Sequence, residues 1–491
     1  MVVQRFARAV LLLLLVPALA RAGEDYDRWY VLRIGDQRAG WMHAAQETSD
    51  QTIVSRTTIH LELRRGETIV PIDMAGSFTE KPDATPISMR LQERMGSVPR
   101  VTEVVFKPDH MAVTITGAGQ PQTTRQPLPE GRWLPPAAAG DFFERRLESG
   151  TDTISVRAMD PLSGLDPVLS TYQILDRTNV QALGKTLPAI KAAITTDAMP
   201  GVRTVEYLDH RGVTIRGTTD LGRFSMTMIA ADKALALSKL DPPELMRSAF
   251  VTPDRPITHP RIRRRARYLL RLDGESMPDL PAAGAQRVQR LEDGAVRLSV
   301  DLDRAEPVGP VDRDALLRST AMLDADDPRI RALVARATAG AGDEPARRAE
   351  AMRRFVHGYI SDKNLDVGFA SASEVARTRE GDCTEHGCLL AAMLRADGIP
   401  ARVVSGLIYL DQAGPDRNVF GYHMWTQALI EDGGQSRWVD LDATLPRAVA
   451  FDATHIALGT SQLRDGQIAN GLVSLAPMLG RLKVSVESVS D

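Results

Sequence analysis

A thiol, an imidazole and a carboxylate follow one another in this chain in the order of the parts of an acyl-transfer site. Cys383 stands in Gly381-Asp382-Cys383-Thr384-Glu385-His386, where a loop turns into an apolar helix. His423 follows in Tyr422-His423-Met424-Trp425, and Asp440 and Asp442 in Trp438-Val439-Asp440-Leu441-Asp442. A cysteine at a helix start is easily ionised, because the unpaired backbone N–H groups and the macrodipole favour negative charge there. A carboxylate that holds one ring nitrogen of the histidine fixes its tautomer and turns the other nitrogen toward the thiol. The chemistry these residue types support is nucleophilic attack of a thiolate on a carbonyl, through a covalent thioester.

The elements that must position them read clearly. Asp382 is a good N-cap and Glu385, three positions on, completes a capping-box pattern. Leu389, Leu390, Met393 and Leu394 continue the helix; Gly398 ends it and Pro400 prevents its return. Gly387, one turn beyond Cys383, removes bulk and lets a strand approach. Cys388 lies inside the helix among apolar neighbours and reads as a buried core thiol. After the helix, 401–410 reads as a strand. In the next strand His423, Trp425, Gln427 and Leu429 share one face by alternation. The turn Asp432-Gly433-Gly434 leads back to Trp438–Asp442, where Asp440 and Asp442 share a face and either can reach the imidazole. Trp425 reads as a sheet-packing residue, His386 as a surface histidine of the helix, and His455 as structural.

Four ordered blocks resemble the transglutaminase-like superfamily in its bacterial branch: Gly381–His386, Arg395–Arg402, His423-Met424-Trp425 and Trp438–Thr444. The resemblance spans roughly 330–460. It implies a papain-like α+β core, with Cys383 as nucleophile, His423 as base and Asp442 as orienting acid. Asp440 falls where the family often has proline and is second choice for the acid. Ala443 stands where proline is common, a mild departure. The resemblance implies no cofactor, and the sequence holds no dense carboxylate loop of the kind calcium needs.

At 491 residues the chain exceeds one core and suggests about three domains. Residues 1–22 read as a signal peptide: Arg5 and Arg8, an apolar run from Val10 to Val16, then small residues at Ala18, Ala20 and Ala22. The run is too short for a span of roughly 20 apolar residues, and no later stretch reaches that length. The expected location is therefore periplasmic or extracellular. Cys383 and Cys388 are the only cysteines, five positions apart on one helix, too far for a disulfide.

Residues 23–240 read as a β-rich antiparallel region of one or two units, with short β-branched runs bounded by Gly, Pro and Asp. Pro242-Pro243 and 252–256 mark a boundary, and 241–310 reads as a small β unit or linker. The basic run Arg261–Arg267 reads as a solvated strand start balanced by Asp273, Glu275 and Asp279. Residues 311–491 read as the transglutaminase-like domain, helices first and sheet after. A net charge of −3 gives no reason to expect nucleic acid. Only 8 of the 60 basic side chains are lysine, so scattered arginines are not treated as a binding surface.

The reading is an exported thiol enzyme acting on amide or peptide carbonyls of a protein or peptide substrate, a cell-envelope component among them. Hydrolysis is favoured over transfer to an amine. The alternative is a non-catalytic envelope binding or assembly protein that uses the same fold as a scaffold.

Overall fold

The computed structural model describes residues 24–491 apart from 66–67, 95–98, 118–120, 200, 221–224, 245–249, 274–275, 283, 305–307, 364–369, 433, 465–477 and 479. The signal peptide expected at 1–22 lies outside these residues. The chain divides into two compact units, one ending at Glu244 and one running from Leu245 to Asp491.

The first unit is built on a 14-stranded antiparallel sheet. Eight strands step outward in chain order from Tyr26–Ile34 to Gln122–Gln126; six more return from the other edge, Thr153–Ala158, to Ser225–Ala231. First and last strands pair at the centre, Tyr30 opposite Ala230. The helix Pro136–Glu148 joins the two halves, a feature the sequence reading did not include. Its signal was present: proline at the first helical position, where the missing N–H costs nothing. The helix lays Ala139, Phe143 and Leu147 against Ile154, Val156, Tyr172, Ile190 and Leu208 of the returning strands. Glu80, from the outgoing half, accepts the N–H groups of Ala137 and Ala138 at 3.0 and 3.1 Å. A carboxyl at a helix N-terminus thus ties the two halves of the sheet together.

The second unit has two four-stranded sheets. The segment 241–310 reads in the sequence as a small β unit or linker. Its strands Gln286–Arg290, Val296–Asp301 and Arg265–Leu272 form a sheet completed by the last strand, Leu482–Ser490. The distant C-terminal strand covers the open side of Arg265–Leu272 and adds Leu482, Val484 and Val486 to the buried face. The basic run also finds other partners than expected. Arg261 pairs with Asp452, Arg263 with Asp491, and Arg264 with Asp303.

The second sheet has the order Gln435–Leu441, Asp416–Asp432, Ala401–Ala413, His455–Ser461, antiparallel throughout. The helix Cys383–Ala396 packs on its two central strands. Helices Pro328–Ala337, Pro345–Tyr359 and Ala372–Thr378 also pack on this helix, so every side chain from Thr384 to Arg395 is buried. Large antiparallel β-rich region followed by a helix-plus-sheet core is the α+β arrangement the sequence implied.

Glu206 of the first unit is 1% exposed, and a hydroxyl, Thr214 Oγ1 at 2.8 Å, is its hydrogen-bond partner. Burial pushes its carboxyl from 4.5 up to about 7. A carboxyl raised in the folded state contributes stability in full below its ordinary value and loses it as pH climbs through the folded value. Between pH 5 and 8 this amounts to about 2–3 kcal/mol. Glu206→Gln removes the dependence. Urea unfolding of the first unit at both pH values should show the wild-type loss shrinking by that amount in the variant.

Candidate active site

The Cys383–Ala396 helix begins where local chemistry says it should. The Asp382 carboxylate accepts the Thr384 N–H at 2.8 Å, and Glu385 reaches back to the Asp382 N–H at 3.0 Å, closing the capping box. Glu385 does a second job with its other oxygen, accepting the Ala370 N–H at 3.0 Å. Burial first, and the neighbouring Asp382 second, push the Glu385 carboxyl well above the usual range. Gly381 has φ +144°, and a Cβ there would lie 2.3 Å from Glu385 Cβ. Glycine at this position is thus what allows the cap to fold back under the cysteine. At the far end Gly398 adopts φ +78° and the Ile399 N–H bonds to Leu394 O at 2.9 Å, a Schellman stop.

The two thiols on this helix differ. Cys383 is partly exposed at its first turn, whereas Cys388 is fully buried and its thiol is pushed well above its ordinary value by burial. Gly387 opposes Met424 of the adjacent strand, whose Cγ would be 3.3 Å from an added Cβ, and Thr426 Oγ1 donates to Gly387 O at 3.0 Å. This close approach brings His423 to Cys383, and the two side chains hydrogen-bond. His423 turns its Nε2 to Asp442 Oδ2 at 2.8 Å, which leaves Nδ1 for the thiol. The second oxygen of Asp442 accepts the Thr444 N–H at 2.8 Å and its hydroxyl at 2.7 Å.

Of the two candidate carboxylates, Asp442 is the one against the imidazole. Asp440 accepts Trp425 Nε1 and Gln427 Nε2, both at 2.8 Å, and is committed to holding the sheet. Trp425 is 2% exposed and packs flat toward His423, with ring centroids 6.2 Å apart. Gly406 makes room for it: a Cβ there would lie 2.7 Å from the indole and 2.0 Å from Ile456 O.

Three features escaped the sequence reading. His386 is not a surface histidine but is 2% exposed, its Nδ1 at 2.6 Å from Asp382 O, because the helix is packed on all sides. Burial lowers its pKa to about 4. Arg353, itself 2% exposed, donates to the carbonyls of Asp442, Leu445 and Arg447 and so fixes the loop that carries the carboxylate. His455, read only as structural, places its Nε2 3.2 Å from Asp442 Oδ2. The pattern Asp452-Ala453-Thr454-His455 opening a short strand was the available signal. His423, Asp442 and His455 present ligand-type atoms within 4.8 Å of one another. A metal there would have to displace the protons that join both Nε2 atoms to the carboxylate.

Electrostatics follow from this geometry. Burial disfavours the charged ring of His423, but the charge and hydrogen bond of Asp442, helped by Cys383, raise its pKa from 6.5 to about 10. Burial likewise works against the Asp442 anion, and His423 and His455 overcome it and hold that carboxyl well below the usual range. Residues 331–443 match the sequence profile of the transglutaminase-like superfamily. No curated protein matches the chain. Among solved structures, the chain is similar to a β-barrel-like protein with a domain of unknown function, DUF1849, from Brucella abortus (15% identity, 43% of this chain and 98% of that one, TM-score 0.34). It is also similar to a candidate cysteine protease from Cytophaga hutchinsonii (16% identity, 46% and 86%, TM-score 0.27). A candidate protease from Parabacteroides distasonis is similar at 11% identity over 77% and 68%, with TM-score 0.19.

Replacing Asp442 by Asn keeps the size of the side chain but removes the charge that offsets burial at His423, and one of its two acceptor atoms. The imidazole pKa should then fall from about 10 to below 6.5. An NMR titration of the His423 ring checks this; a value unchanged in the variant would mean another group sets it.

Proposed function

We propose that the transglutaminase-like domain of this chain is a thiol hydrolase of amide or peptide bonds. The observation that carries this reading is the unbroken path from Cys383 through His423 to the buried Asp442 carboxylate. Cys383, partly exposed, is the group a substrate can reach; the other two are buried behind it. The thiolate attacks the carbonyl carbon, and its negative charge passes to the carbonyl oxygen. Backbone N–H at the helix start is the stabilising donor for that oxyanion. The His423 imidazolium, kept charged by Asp442, gives its proton to the leaving amine, and a thioester remains. Neutral His423 then takes a proton from water, which attacks the thioester and releases the acid.

Water is preferred over an amine as the acceptor because it is always present, whereas transfer requires a site that admits a second amine and excludes water. The basic start, apolar run and small residues of 1–22 support export, so the substrate is an exported or envelope protein or peptide.

A thiol-directed electrophile should modify Cys383 far faster than Cys388, and His423→Ala should slow Cys383 by about tenfold or more, through loss of the neighbouring cation that favours the thiolate. Mass spectrometry of the two cysteine peptides over time reads both rates. Equal, slow modification would favour the scaffold reading instead. Incubation of casein with the protein, with and without a labelled amine, separates peptide release from amine incorporation.

A further inference from the structure

His455 opens the strand His455–Ser461 and its side chain is fully enclosed. Phe451 stacks on the ring at 4.1 Å and 29°, and Trp425 meets it edge-on at 5.3 Å and 78°. Its two nitrogens face acceptors only. Nε2 lies 3.2 Å from Asp442 Oδ2; Nδ1 lies 3.1 Å from the backbone carbonyl of Asp452 and 3.4 Å from Asp452 Oδ1. A neutral imidazole carries one N–H, so it would turn a bare lone pair toward a carboxylate or a carbonyl in a place closed to bulk solvent. A ring with protons on both nitrogens satisfies every contact.

We propose that His455 is a standing imidazolium, a positioning residue that holds Asp442 from the side opposite His423 and tempers the pull of that carboxylate on His423. The hold on Asp442 follows from the donor geometry alone; its consequence for catalysis rests on the thiol-hydrolase reading. Asp442 Oδ2 thereby accepts from two imidazoles at once, His423 at 2.8 Å and His455 at 3.2 Å. Behind His455, Asp452 is fixed by Arg261 Nη1 at 2.6 Å, Thr454 N at 2.8 Å and Thr454 Oγ1 at 2.5 Å. Charges thus alternate from Arg261 through Asp452, His455 and Asp442 to His423, with Cys383 at the end.

The other ionisable group close by, Asp440, accepts from Trp425 and Gln427 and acts on the His455 ring through its charge, not through a hydrogen bond. Burial disfavours charge on His455, but Asp452 and Asp442 raise its pKa above the ordinary value, in agreement with the donor geometry. With the ring centroids of the two histidines 5.9 Å apart, a cation at His455 opposes the proton on His423. Removing that cation should therefore strengthen the His423 proton.

The test uses the full chain with ¹⁵N-labelled histidine. Ring spectra between pH 5 and 8 should show both nitrogens of His455 protonated throughout, the signal being assigned by its loss in His455→Gln or in His455→Phe. A bare-nitrogen signal for this ring at pH 7 overturns the proposal. In the variant that folds, the pH at which His423 loses its proton should move up by about one unit; an unmoved or lowered value overturns the positioning role. If Cys383 proves no more reactive than Cys388 while His455 stays doubly protonated, the hydrolase reading falls and the standing imidazolium remains.

Discussion

The catalytic-type half of this molecule is arranged around one buried anion. Asp442 is 1% exposed, and a carboxylate in that position is tolerated only if its lone pairs meet donors. It has four: two imidazole Nε2 groups on one oxygen, and the Thr444 N–H and hydroxyl on the other. The three residues that supply them come from different places in the fold. His423 is in a central strand, His455 begins the edge strand, and Thr444 belongs to the loop that Arg353 ties down from the Pro345–Tyr359 helix. The order of the sheet is what lets strands on opposite sides converge on the same oxygen.

Convergence needs space as well as charge, and glycine supplies it at two points. Gly406 lies on the strand between His423 and the His455 strand, paired with His423 on one side and Ala457 on the other. Any side chain there would meet the Trp425 ring and the Ile456 carbonyl. Gly381 does the equivalent for Cys383, since only a residue without Cβ leaves Glu385 room to return to the cap. Arginine supplies the anchoring. Arg395 spans the carbonyls of Arg318, Ala401 and Gln462, and Arg353 those of the Asp442 loop. The planar fork of donors suits backbone carbonyls that have no partner in a strand or helix.

What could be read from the chain beforehand was whatever depends on neighbours in sequence. The cap at Asp382 and Glu385, the stop at Gly398 and the shared face of His423, Trp425 and Gln427 are set within one turn or one strand. Asp442 against Asp440 was already ambiguous, because two positions on one face differ only by where the strand stops, and the strand ends at Leu441. His455, Arg353 and the burial of His386 could not be read, since each depends on packing between elements far apart in the chain. The same is true of the small sheet, whose fourth strand arrives from Leu482–Ser490. The helix Pro136–Glu148 is different: its signal was local, a proline-led stretch set among β-branched runs, and it was outweighed by them.

Fold energetics do not explain why so much charge is gathered here. Taking ions out of water costs several kcal/mol each, and packed apolar side chains of similar volume are often as stable or more so. Asp442, His423, His455 and Asp452 are all buried, yet the space they fill adjoins Trp425 and Phe451, an apolar setting in which leucine or phenylalanine would pack without that penalty. Nor is the cluster a surface network, where ion pairs are cheap and weak. It reaches the surface at its two ends, the Cys383 thiol and the partly exposed Arg261. Buried between those ends, the line of carboxylates and imidazoles keeps the His423 ring charged beside an accessible thiol. It contributes little that an apolar core would not.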